Sequence, residues 1–314
     1  MDDEHGWTPL EIRPGDIGAS ADVDGLLAYL ADRQLIGDLL VKEKALVFRD
    51  FGVTRDRLEP VMDGVLPNRL AYVHGNSPRT KVGDNVYTST EYPAEMTISM
   101  HNELSYSARW PSRLMFFCEV AAESGGATPV VDGTRWLGAL DEEVRDAFAD
   151  GVRYTQNLHD GFGLGKSWQD TFETDDRDRV ETYLADMGAT TWEWRSDGGL
   201  RVSQTRPATL RHPVTGDEVW FNQADQWHPA ALGDKTAAAL AAAVPEEDLP
   251  QSVSYADGGP IPAEHVVQVR DRGLDAAVDV DWVAGDVLLI DNVLVGHGRR
   301  PFTGKRRVLV AMTD

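Results

Sequence analysis

The sequence predicts a mainly β protein with peripheral helices (α+β), built on a jelly roll, the double-stranded β-helix. Three observations predict it. Short apolar runs recur between Gly- and Asn-rich turns along most of the chain. Helical patterns are few and lie outside those runs. The last block, "VDWVAGDVLLIDNVLVGHGRRPFTGKRRVLVAMTD", reads as three strands joined by glycine turns. Many short strands with few helices pack as two facing sheets. One domain over 1–314 fits better than two, with a helical segment at about 20–44 and a lid-like insertion at about 155–200.

The elements follow in order. Residues 23–43 carry a helical period, and "ALVFRDFGV" (45–53) is a strand-like run closed by Gly52. Residues 69–100 alternate strand-like pieces with turn signals, "HGNSPR" and "VGDN". "RLMFFCEVA" (113–121) suits a buried strand, and "ESGGATPVVDG" is a glycine turn leading into another. Residues 134–149 read as helix, with Asp141, Glu142 and Glu143 near a helix start. The stretch 155–200 is irregular and rich in Trp, Asp and Gly; long irregular insertions often serve as covers. Strands return over 201–222 around "HPVTGDEV", and 235–249 is Ala-rich and helical.

A net charge of −22 repels phosphates and anionic membranes, so nucleic-acid and membrane partners are excluded. No apolar run approaches the ~18 residues a membrane span needs. The N-terminus "MDDEHGWTPL" has no apolar core of a signal peptide. Cys118 is the one cysteine, set among apolar neighbours, which rules out an internal disulfide and suits a buried thiol in a reducing cytoplasm.

The chemistry centres on "MHNELSY", residues 100–106. In a strand, His101 and Glu103 would face the same space while Asn102 points away, with no ligand role. Such a pair also arises by chance in a chain with 8 histidines and 52 acids. His297, at the end of an apolar strand, reads alone as a histidine bonded to backbone. Together the three form a two-histidine, one-carboxylate set, the donor arrangement of non-haem Fe(II) oxygenases. Ten residues on, "RRVLVAM" looks like a strand in which one arginine of the pair faces inward and the other faces solvent. An inward arginine needs a partner, and a carboxylate suits its planar fork.

Here the sequence resembles a known family. "HNE", "ESGGATPVVD", "ALVFRDFGV" and "GDVLLIDNVLVGHGRRPFTGKRRVLVAM" resemble the TauD/TfdA dioxygenases, in family order over about residues 40–314. Within the family the chain looks like syringomycin-type and clavaminate-synthase-like amino-acid hydroxylases. The resemblance implies Fe(II) as cofactor, 2-oxoglutarate as cosubstrate and O2 as oxidant. It implies His101, Glu103 and His297 as metal ligands. Arg307 matches the arginine that holds the distal carboxylate of 2-oxoglutarate, with Arg306 left to solvent, and Thr128 matches a hydroxyl on the same carboxylate.

Two departures bear on the outcome. The carboxylate is Glu103 where Asp is commoner, which suits amino-acid substrates and argues against halogenation. Four residues after Arg307 stands Ala311, where taurine-type enzymes place a second arginine for a sulfonate. The implied reaction is hydroxylation of an amino acid or amino-acid-derived natural-product intermediate, with desaturation or oxidative cyclisation as alternatives. Candidate substrate residues are Trp168 and His159 in the cover, and Asn222 and Gln223 in "WFNQADQWH" with Trp220 and His228 beside them. Met100 and Ser105 are candidate neighbours of the metal chamber. A free small substrate is favoured, with a carrier-protein-bound one and a homo-oligomer left open. The competing readings are a non-catalytic jelly-roll binding protein and a zinc hydrolase.

Overall fold

Every residue of the short run Ala45–Phe48 is apolar, and all four are buried. A strand buried on both faces needs cover on both sides, and that requirement organises the molecule. The structure is a computed structural model. It describes residues 6–66, 68–70, 80–83, 85–89, 92–233, 242 and 244–314.

The first part of the chain contributes β1 (Leu10–Ile12), β2 (Ala45–Phe48), β3 (Lys81–Gly83), β4 (Val86–Thr88), β5 (Ile98–His101) and β6 (Arg113–Val120). The middle adds β7 (Ser124–Gly125), β8 (Thr128–Asp132), β9 (Val152–Leu158), β10 (Thr191–Trp194), β11 (Leu200–Arg206), β12 (Thr209–Arg211) and β13 (Glu218–Trp220). The last part gives β14 (Gln251–Tyr255), β15 (Val278–Val280), β16 (Val287–Asp291), β17 (Val295–Arg299), β18 (Phe302–Thr303) and β19 (Arg307–Thr313).

The major sheet runs β1-β2-β16-β6-β19-β4-β3, and the minor sheet β15-β8-β17-β5. Alternate side chains on the major sheet go to two different cores. Phe116, Cys118, Val308, Val310 and Met312 meet Val130 and Val295 of the minor sheet. Met115, Phe117, Leu289, Leu309 and Ala311 pack instead against Leu26, Leu30, Ile36 and Val61 of the N-terminal helices. Two sheets facing each other over a shared core make the expected jelly roll. Cys118 is buried in that core, and loss of hydration pushes its thiol up to about 11.

The segment expected as one helix over 23–43 is two, Val23–Leu30 and Arg33–Glu43. The break falls at Asp32, whose carboxylate accepts from the Leu35 amide, as Asp22 does from Gly25. The insertion is not irregular. Helices Trp168–Phe172 and Arg177–Asp186 start at the caps Ser167 and Asp176, and they lie with β10 on a third sheet, β10-β11-β9-β14. These short caps were the helix signals that a composition rich in Trp, Asp and Gly concealed. The turn "HGNSPR" lies outside the described residues, as does most of the Ala-rich segment 235–249. Among the described residues no helix is long and apolar enough to cross a membrane.

Candidate active site

The minor sheet brings the two histidines together. His101 ends β5 and His297 lies in β17, and the two are direct partners in the antiparallel register. Directly opposite residues share a face, so the rings meet with centroids 4.3 Å apart. The Nδ1 of His101 lies 3.0 Å from the Ser99 carbonyl, which fits an Nδ1–H donor and leaves Nε2 as a ligand atom. Phe116 packs on the His297 ring at 5.1 Å.

Glu103 reaches the same space by a different route than the sequence predicts. Strand β5 ends at His101, so Glu103 lies in a turn rather than two places along a strand. Leu104 follows with a φ of 57°, a left-handed conformation uncommon for such a residue. Even so, ligand atoms of His101, Glu103 and His297 all lie within 4.8 Å of one another, and all three residues are buried. Glu103 Oε2 stands 4.0 Å from His297 Nε2, an ion pair only if the imidazole is protonated. A divalent cation between the donors would be held by all three at once. Nitrogen and carboxylate donors without thiolate suit Fe(II).

A cavity with about 380 Å³ of empty space opens beside the histidines, and Arg306, Thr128, Ser89 and Arg299 share its wall with them. The expectation for Arg307 is corrected here. Arg307 points outward, is 53% exposed and pairs with Glu119 at 3.1 Å. Arg306 is the inward residue, on the same side as Val308 and Val310. Both faces of β19 are apolar and covered, so alternation alone does not fix which arginine turns in. The pairing with β6 also skips Glu119 between Arg307 and Val308, a bulge at the strand entrance.

Among the described residues, Arg306 is held without a carboxylate. Its Nε donates to the Gly126 carbonyl at 2.9 Å, while Nη1 and Nη2 reach Ser89 Oγ at 3.3 Å and Thr128 Oγ1 at 3.4 Å. The double glycine of "ESGGAT" makes this approach. A Cβ on Gly125 would stand 2.3 Å from the Pro301 carbonyl oxygen, and Gly126 has a φ of +75°. Burial, aided by nearby Arg299, pushes Arg306 down to about 10, still charged at neutral pH. Trp282 Nε1 donates to Thr128 Oγ1 at 2.9 Å, which leaves the Thr128 hydroxyl proton for another acceptor.

The expected substrate residues do not line this cavity. Trp168 is buried in a small cluster with Leu158, Val180 and Leu184, edge-on to Trp194 at 5.2 Å. His159 fastens the insertion through its backbone, which bonds Lys166 and Trp168. Asn222 donates to the Ala208 carbonyl and accepts from the Ala224 amide. Gln223 donates to the Asn102 carbonyl at 2.7 Å. His228 caps Ala230, and Met100 and Trp220 pack in a core with Trp136. Ser105 is buried without lining the cavity. Structural carbonyls and amides therefore consume both side-chain amides. Ser89, Arg299 and Asn292 were missed. Only Asn292, a lone amide inside the apolar run "LLIDNVLV", carried a visible signal.

The family model described as taurine catabolism dioxygenase TauD, TfdA family, matches residues 10–313. The chain belongs to the TauD/TfdA family. As a TauD/TfdA dioxygenase it is an enzyme that uses Fe(II) and 2-oxoglutarate. It is 40% identical over 281 residues to the dapdiamide synthesis protein DdaC of Enterobacter agglomerans, covering 89% of this chain and 84% of that one. It is 32% identical over 290 residues to a clavaminate synthase-like protein of Arabidopsis thaliana, with the same coverage of 89% and 84%. An asparagine oxygenase, solved with Fe(II), 3-hydroxyasparagine and succinate, shares the fold at a TM-score of 0.56 and 13% identity, over 97% of this chain and 93% of that one. PvcB of Pseudomonas aeruginosa does so at 0.54 and 14%, over 99% and 88%.

Proposed function

We propose that His101, Glu103 and His297 hold Fe(II), that Arg306 with Thr128 holds the distal carboxylate of 2-oxoglutarate, and that the enzyme hydroxylates a C–H bond of an amino acid or amino-acid-derived small molecule. The observation that carries this reading is Arg306. A buried guanidinium is costly without a counter-charge. Among the described residues no carboxylate is placed against it, and it opens on the same cavity as both histidines. A keto dicarboxylate supplies a carboxylate to the guanidinium at one end and keto-acid metal donors at the other.

When bound, iron and cosubstrate supply the oxidation: O2 and 2-oxoglutarate are consumed, and succinate, CO2 and the hydroxylated product leave. The chain's own residues hold, orient and shield. Phe116, Val308 and Val310 wall the cavity with apolar surface that excludes water. Val310 stands four residues after Arg306, so no arginine occupies that place for a sulfonate, and the correction from Arg307 leaves this conclusion unchanged.

The names of the relatives, dapdiamide synthesis and asparagine oxygenase, favour an amino-acid framework for the substrate. A second cavity lies beneath the insertion, walled by Leu104, Tyr106, Gln156, Tyr183 and Gln204. Leu104 follows Glu103 in sequence, and the chamber offers amide and hydroxyl groups to a polar substrate.

The test is anaerobic addition of Fe(II) and 2-oxoglutarate to the full chain, followed by a panel of amino acids and their amides. A visible charge-transfer band, perturbed by particular panel members that also raise O2-dependent succinate formation, is the expected result. Absence of the band, or turnover without O2, would contradict the reading.

A further inference from the structure

Glu103 is the one metal-site residue outside a strand, yet a carboxylate ligand must be held as firmly as the histidines. We infer that Asn292 is the positioning residue that sets Glu103 against His297. The inference rests on the metal-holding reading above and extends it to the support of the ligands.

Asn292 is fully buried and lies in the turn between β16 and β17, five residues before His297. Its side chain reads both backbone groups of Glu103. Oδ1 accepts from the Glu103 amide at 2.8 Å, and Nδ2 donates to the Glu103 carbonyl at 3.0 Å. The two bonds imitate one rung of a β-ladder where no strand exists. The same Nδ2 donates to the Pro111 carbonyl at 2.8 Å, fastening the far end of the loop.

Asn102 closes the clamp from the other direction. Its Nδ2 donates to the Asn292 carbonyl at 2.7 Å and to the Val295 carbonyl at 3.3 Å. Gln223 then holds the Asn102 carbonyl. Each donor and acceptor in this chain is buried, so breaking one leaves an orphaned polar group. The turn cannot shift cheaply, and the left-handed Leu104 beside it is sustained by that surrounding framework.

The turn is fastened from below as well. Asp291 Oδ1 accepts from the Val293 and Leu294 amides, and its Oδ2 lies 3.2 Å from His212 Nε2. One turn therefore positions Glu103 through Asn292 and, through the strand it starts, His297. By this inference the distance between these two ligands is set by Asn292, Asn102 and Asp291, none of which is among the three ligands. Outer partners of this kind typically change metal affinity by about 10–100-fold when removed.

The experiment is an anaerobic Fe(II) titration of full-length variants, followed by calorimetry and by the 2-oxoglutarate charge-transfer band. Asn292→Ala should weaken Fe(II) binding by about 10–100-fold and shift the band. Asn157→Ala is the control. Its amide holds the Glu247 and Leu249 carbonyls, away from the metal ligands. It should lower Tm without changing Fe(II) affinity. In a Glu103→Ala background, Asn292→Ala should add no further loss, because its effect passes through the absent carboxylate. Native affinity in a folded Asn292→Ala, or an equal further loss in the Glu103→Ala background, would overturn the inference. If Asn292→Ala does not fold, Asn292→Ser serves instead: its short hydroxyl cannot satisfy both Glu103 groups, and native affinity there is equally contrary. Native iron content in Glu103→Ala itself would sink the metal reading instead.

Discussion

Two polar regions of the molecule look alike in sequence and differ in structure. On one side, His101, His297, Thr128 and Arg306 face a cavity, and among the described residues the side-chain bonds of Arg306 go to neutral oxygens. On the other, the Asn222 and Gln223 amides are taken up by backbone groups, the His159 backbone fastens the insertion, and Trp168 packs in a small apolar cluster away from that cavity. The difference teaches that residue type does not mark a site. What marks it is convergence: the two histidines, a hydroxyl and a buried guanidinium meet at one cavity.

The largest expected effect breaks the cavity side. His101→Ala and His297→Ala should abolish stoichiometric Fe(II) binding while the proteins stay folded, measured by metal analysis and circular dichroism. Glu103→Gln should weaken iron more than Glu103→Asp, which keeps the charge. Unchanged iron in all of them would merge the two regions.

Next comes the structural side. Trp168→Ala should cost about 3–5 kcal/mol of stability, as large aromatic truncations do in a packed cluster. Fe(II) and 2-oxoglutarate affinity should survive at temperatures where the variant is folded. A loss of cosubstrate binding without loss of stability would place Trp168 in the site.

The smallest effect concerns Asp225, buried on the helical turn Ala224–Trp227 that follows Gln223. Burial pushes its carboxyl up to about 6, opposed by the Ser99 side chain and the charge of Arg270. The folded state then keeps a proton that the unfolded chain, at 3.8, has already lost. This group's contribution to stability therefore falls as pH rises from about 4 to 6. Asp225→Asn should remove that slope, so the variant should gain on wild type by roughly 1–3 kcal/mol between pH 4 and pH 7. Parallel denaturation curves at both pH values would contradict it.

Much of this was legible in the sequence, for physical reasons. The apolar runs of β2, β6, β16 and β19 announced a double sheet, because a strand buried on both faces has no polar positions. The same property hid the inward arginine. Val308, Val310 and Met312 serve one core and Leu309 and Ala311 the other, so "RRVLVAM" has no polar face to set the parity. His101, Glu103 and His297 come together although Glu103 is not in a strand: the turn after His101 restores by curvature what alternation was expected to give. Asn222 and Gln223 could not be judged, because their partners lie at Ala208 and Asn102, and nothing in the local pattern reveals such contacts. The helices of the insertion were hidden because their caps are single residues in a stretch of Asp, Gly and Trp.

The central claim is that Arg306, and not its neighbour, receives the cosubstrate. Anaerobic 2-oxoglutarate titration of iron-loaded Arg306→Leu and Arg307→Leu tests it most directly. Arg306→Leu should lose on the order of 30-fold or more in affinity, since removing the partner of a desolvated carboxylate costs about 2–5 kcal/mol. Arg307→Leu breaks only an exposed pair with Glu119 and should stay within about fivefold of wild type, the scale of a surface ion pair. Native affinity in Arg306→Leu, or a larger loss in Arg307→Leu, would contradict the assignment.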